Sequence, residues 1–144
     1  MANIEKSVVI NASSDAIDAY AIDANTWTQW FEGAESVQVD DTFPEEGGKV
    51  VVSYKASGMS FDITMTSQEV VHGSHLVMRM EGMINGTQSW RYTEEGDATR
   101  VDAMLDYEMS GGGLGAIADK LIVERMNKSN LGTSLTNLKR IVEG

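Results

Sequence analysis

The chain has 144 residues, no cysteine, and 22 acidic against 11 basic side chains, a formal net charge of −11. One domain, residues 1–144, is expected from that length, and such a domain buries about 68–70% of its unfolded surface without staples. Zero Cys excludes disulfides, a thiol nucleophile and thiolate metal ligation, and the acidic balance argues against nucleic acid and anionic membranes, which both attract Lys and Arg.

Residues 4–10 alternate, with Ile4, Lys6, Val8 and Ile10 on one side and Glu5, Ser7 and Val9 on the other, so a strand is predicted. Ser13 or Ser14 can then cap a short helix, with Asp15 in its positive first turn. A second short helix carries Trp27, Trp30 and Phe31 and ends at Gly33.

From Ser36 to Glu108 the period is two. Val37 and Val39 mark one strand, Val50, Val52 and Tyr54 the next, and Phe61, Ile63 and Met65 a third. Leu76, Met78 and Met80 follow, then Trp90 and Tyr92, then Val101, Ala103, Leu105 and Tyr107. Turns are expected at Pro44–Gly48, Ser57-Gly58, His72–Ser74 and Glu95–Asp97, and Asn85-Gly86 is the strongest two-residue hairpin signal. Six consecutive strands with short connections form an antiparallel meander with one dry face, which needs a cover.

The predicted cover is a helix from about Leu114 to Glu143, entered through the glycine run 111–115. Thirty residues of helix span roughly 45 Å, against a radius of gyration near 14–15 Å for a domain this size, so the helix lies across the sheet. Its stripe at 100° per residue runs Leu114, Ile117, Leu121, Leu135 and Val142. Glu124, Arg125, Lys128 and Gly132 interrupt the middle of that stripe. Either Arg125 and Lys128 snorkel along apolar surface, or the middle of the helix stands clear of the sheet over a cavity, with Arg125 or Lys128 offering a cation to its occupant.

The inner face of the sheet points the same way. Tyr54, Phe61, Met65, Met78, Met80, Trp90, Tyr92 and Tyr107 are large side chains. Met fills irregular space, and buried Tyr and Trp need polar partners. These eight, with Leu121 and Arg125, form the candidate binding set. Met59, Met83, Ile84, Met109 and Leu114 stand beside connections that a meander gathers at one end, and they form a candidate apolar entrance.

No metal site is expected: the two histidines, His72 and His75, share one solvated turn without a paired carboxylate spacing. Nor does a nucleophile elbow, phosphate loop or dinucleotide fingerprint occur, so no cofactor is expected and no catalytic residue is nominated. The opening Met1-Ala-Asn-Ile-Glu-Lys lacks the pattern of a signal peptide, and no apolar run approaches the roughly 18 residues of a membrane span. A soluble, cytoplasmic protein is expected.

Strand, two short helices, six strands and a long C-terminal helix is the α+β helix-grip arrangement. Val8-Val-Ile-Asn-Ala-Ser-Ser-Asp-Ala-Ile, Trp27-Thr-Gln-Trp30, Thr99-Arg-Val101, Gly113-Leu-Gly115 and Ser134-Leu135 with Leu138-Lys139 and Glu143 carry a resemblance over nearly the whole chain. The sequence resembles the START-like (SRPBCC or Bet v 1-like) superfamily, and within it the polyketide cyclase/dehydrase and lipid-transport group. Tyr20 stands where that family often has Trp, and Ala98 where it often has Gly. The resemblance implies a cavity for a small hydrophobic partner (lipid, polyketide or aromatic). It implies no shared catalytic set, so the alternatives are a cyclase or dehydratase using the same cavity and a protein-interaction domain of the chaperone-activator type.

Overall fold

The computed structural model describes residues 2–56, 58–109 and 120–144. In chain order these form β1 (Ala2–Ile10), α1 (Ser14–Ala21), a 3-10 turn (Ala24–Thr26), α2 (Trp27–Trp30), β2 (Ala34–Val39), β3 (Lys49–Ala56), β4 (Met59–Val71), β5 (His75–Gly82), β6 (Ile84–Glu95), β7 (Ala98–Met109) and α3 (Lys120–Glu143). The glycine run at 111–115 and the first turns of the expected long helix lie outside the described residues. No described helix is long and apolar enough to cross a membrane.

All seven strands join one antiparallel sheet in the order β1-β7-β6-β5-β4-β3-β2. Alternation sorts its faces as the sequence predicts. Ile4 and Ile10, Val50 and Val52, Leu76 and Met78, and Val101 and Ala103 are buried, while Glu5, Lys49, Arg79 and Arg100 point to solvent.

The helical segments are fixed by specific bonds. The Ser13 hydroxyl accepts from Ala16 N at 3.2 Å and caps α1. Trp27 Nε1 donates to Ala21 O at 3.0 Å, and Trp30 Nε1 to Thr26 Oγ1 at 3.0 Å. Both indoles therefore enter the core with their polar atom satisfied. Thr99, fully buried, donates to Ala12 O at 2.8 Å and ties β7 to the end of β1.

Two expectations change. Asn85-Gly86 is not the hairpin turn. The chain reverses between Gly82 and Ile84, and Asn85 and Gly86 pair within β6 against β7. Asn85 still serves the reversal: its side chain accepts from Gly82 N at 3.3 Å and donates to Gly82 O at 3.1 Å. Gly86 is required by close approach, since a Cβ there would sit 1.9 Å from Asp106 O and 2.7 Å from Tyr107 Cα. The histidines are also not simply solvated. His72 Nδ1 lies 3.4 Å from Asp18 and Nε2 3.3 Å from Glu45, and His75 Nε2 lies 3.0 Å from Glu69. His72 thereby clips the β4–β5 turn to α1 and to the loop before β3. Its hydrogen bond to Glu45, aided by Asp18 and opposed by partial burial, holds the imidazole above its ordinary pKa.

The two glycines should respond to alanine with opposite signs. Gly86→Ala destabilises the fold by about 3 kcal/mol, because the strand backbones must separate. Gly132→Ala on α3 meets only the Lys6 stem at 3.7 Å and stabilises by about 0.5–1 kcal/mol through helix propensity. Urea unfolding of both variants checks this. For His72 the raised folded-state pKa makes its stabilisation fully present below the free-imidazole value of about 6.5, and lost as pH rises through the folded value. The Tm gap between wild type and His72→Gln is therefore widest at acid pH and closes on the alkaline side.

Candidate ligand-binding site

Bonds along its C-terminal half hold α3 to the rest of the protein. Glu143 accepts from Asn11 N at 2.8 Å, and Lys139 Nζ donates to Val9 O at 2.8 Å. Asn137 Nδ2 donates to Trp30 O at 3.2 Å, and Ser134 Oγ accepts from Glu32 N at 2.8 Å. Leu131, Leu135 and Leu138 are buried on the same side.

Towards its N-terminus the helix face changes character. Asn130 and Asn127 replace leucine there, and beneath them lies a cavity. Its described walls are Trp27, Phe31, Val52, Tyr54, Ile63, Met65, Met80, Ile84, Gln88, Leu105, Asn127, Asn130 and Leu131. The cavity has a volume of about 40 Å³. One buried water needs roughly 10–15 Å³ on that measure. The walls are overwhelmingly apolar, so the space favours an apolar occupant over water.

A second, narrower hollow lies further along the helix, between Trp30, Trp90, Tyr92, Val101, Ser134 and Leu138. Phe31 and Leu131 belong to both linings and form the partition. The partition is stiffened by aromatic contacts: Trp90 meets Trp27 at 5.7 Å, Trp30 at 5.5 Å and Phe31 at 6.4 Å between ring centroids.

Polar atoms in the main cavity are few and come in two kinds. Tyr54 is anchored: its hydroxyl accepts from Asn130 Nδ2 at 2.6 Å, and its ring lies over Gly33, where a Cβ would come within 2.5 Å. Gly33 also has φ +97°, so glycine is doubly required. Gln88 and Asn127 are the other kind. They are 2% and 7% exposed, and neither Gln88 Nε2 nor Asn127 Nδ2 has a hydrogen-bond partner. Burial pushes the Tyr54 phenol up against the pull of the Asn130 bond, and pushes Tyr107 up against the pull of Asn127. Both hydroxyls are protonated at neutral pH.

A family model described as polyketide cyclase / dehydrase and lipid transport matches residues 1–143. The chain belongs to this family. No curated protein matches the sequence significantly. Among solved structures, TTHA0849 of Thermus thermophilus is 19% identical with a TM-score of 0.84, over 98% of this chain and 97% of that one. The Zhui aromatase/cyclase of Streptomyces sp. R1128 is 15% identical with a TM-score of 0.84, over 99% and 93%. A START superfamily protein of Mycobacterium smegmatis is 16% identical with a TM-score of 0.81, over 98% and 97%. At these identities the likeness shows the fold, the START-like helix grip.

Within this family member the candidate binding residues separate. Tyr54, Met65, Met80 and Ile84 line the main cavity. Trp90 and Tyr92 line the narrower hollow instead. Met78 is fully buried opposite Gln88, and Phe61 is half-buried with its ring 5.6 Å from that of Tyr54. Tyr107 is buried beside Asn127. Met83 and Met109 are half-buried near the Gly82–Ile84 reversal, whereas the Met59 side chain and Leu114 lie outside the described residues.

Leu121 and Arg125 are placed differently from expectation. Leu121 is 54% exposed and Arg125 is exposed, and neither is among the described lining residues. The buried stripe of α3 is Asn127, Leu131, Ser134, Leu135 and Leu138. Two of its five members are polar, so an apolar count along the helix selects a neighbouring face. Gln88, Asn127 and Asn130 escape sequence reasoning for the same reason: on sequence they are ordinary polar residues. A detectable signal exists for Gln88. It falls on the inner-face parity of β6, two residues before Trp90, where an apolar side chain is the rule.

Proposed function

We propose that the chain binds a small hydrophobic molecule (a lipid, polyketide or aromatic) between the sheet and the front half of α3. The observation that supports this most is the apolar-walled space beneath Asn127 and Asn130. Met65 and Met80 line it, and unbranched, polarisable side chains let a pocket reshape around guests of differing form. A protein-interaction domain has no use for an internal space of this kind.

Similarity to an aromatase/cyclase favours a cyclase or dehydratase as the second reading. Such a reaction needs a positioned acid or base. Among the described lining residues there is no carboxylate, imidazole or amine, and Tyr54, the one titratable group, is held protonated by burial. Binding alone needs none of these.

Titration with the neutral fluorophore N-phenyl-1-naphthylamine tests the proposal. Wild type is expected to bind with a rise in emission, and Met80→Trp, which fills the cavity, to lose about tenfold or more in affinity, about 1.4 kcal/mol. Absence of binding by the folded wild type, or equal binding by Met80→Trp, would contradict it.

A further inference from the structure

Gln88 and Asn127 are buried amides in an apolar wall, and the N–H donors of both are unsatisfied. A third orphan stands with them. Tyr107 is 2% exposed as a residue, and its hydroxyl lacks a partner. Asn127 lies beside it and pulls its pKa down, yet neither atom completes a hydrogen bond by distance and angle. Pairing places Gln88 opposite Leu105 and Tyr107 opposite Gly86, so Gln88 and Tyr107 are diagonal neighbours on one face, about 7–8 Å apart at their backbones. Asn127 reaches the same region from α3.

Buried polar atoms are nearly always paired, and an unpaired one costs the full loss of its hydration. The two amide donors, Gln88 Nε2 and Asn127 Nδ2, belong to the lining of one cavity and form a polar subsite there, with the Tyr107 hydroxyl beside Asn127. The acceptor must be neutral. A carboxylate there would be buried without a counter-charge: Arg125 and Lys128 are exposed, and no cationic side chain is among the described lining residues. Asn130 Nδ2 gives one of its two N–H groups to Tyr54.

We infer that the cavity is selective for a hydrophobic molecule bearing a neutral carbonyl oxygen, which accepts hydrogen bonds from the Gln88 and Asn127 amides, with Tyr107 beside them. A carbonyl oxygen offers two lone pairs and no proton, which suits two donors better than a hydroxyl does. This inference rests on the cavity being a binding site and adds the chemistry of its guest.

The test uses the full chain and three competitors of nearly one shape against bound N-phenyl-1-naphthylamine. Acetophenone carries the carbonyl, α-methylstyrene replaces its oxygen by a methylene, and benzoate carries a charge. Acetophenone is expected to compete about fivefold or more better than α-methylstyrene, and benzoate worst. Gln88→Leu and Asn127→Leu are each expected to bring the ketone within about twofold of the alkene. Near-UV circular dichroism checks that each variant is folded, and the wild-type preference decides the matter even if one is not. Equal affinity for ketone and alkene, or tightest binding of benzoate, would overturn the inference while leaving the cavity in use. Failure of the fluorophore and all three competitors to bind would overturn both.

Discussion

The structure depends on how α3 is held. Its C-terminal half is bolted at four polar points, through Glu143, Lys139, Asn137 and Ser134, and packed by Leu131, Leu135 and Leu138. Each bolt meets backbone at the end of β1 or of α2: Asn11 N, Val9 O, Trp30 O and Glu32 N. A helix fixed over one half of its length projects the other half across the sheet by its own stiffness. There the side chains beneath it are asparagines, and the space below is left open. Cavity and clamp are consequences of one change in side-chain character along a single helix.

The cavity is kept from collapsing by what surrounds it. Behind it the partition of Phe31 and Leu131 is backed by the ring contacts of Trp90 with Trp27, Trp30 and Phe31. In front, Tyr54 is braced between Gly33 and Asn130. Large side chains in mutual contact stand at both ends, with the unbranched Met65 and Met80 between them. On the proposed reading, such an arrangement would admit an apolar guest at little cost in reorganisation, and the buried amides would supply the orientation that apolar walls cannot.

How much of this is legible in the sequence follows from which forces write themselves there. Alternation in Ile4–Ile10 and from Val50 to Tyr107 reports burial directly, so the strands, their faces and the family are readable. Asn85-Gly86 misleads because Gly86 answers to a close backbone contact with β7, a tertiary demand that mimics a turn signal locally. The face of α3 misleads because Asn127 and Ser134 occupy it, and polarity on a buried face appears in sequence only as a break in the pattern. Those breaks line the cavity and the narrower hollow. Gln88 and Asn127 violate the binary pattern at positions where a mere core would not.

The most direct test of the hollow beneath α3 is a crystal of the protein pressurised with xenon, which enters dry apolar space and little else. A xenon atom is predicted between Met65, Met80 and Leu131, beneath the front half of the helix. An empty site there, with those side chains in mutual contact or an ordered water chain in its place, would contradict it.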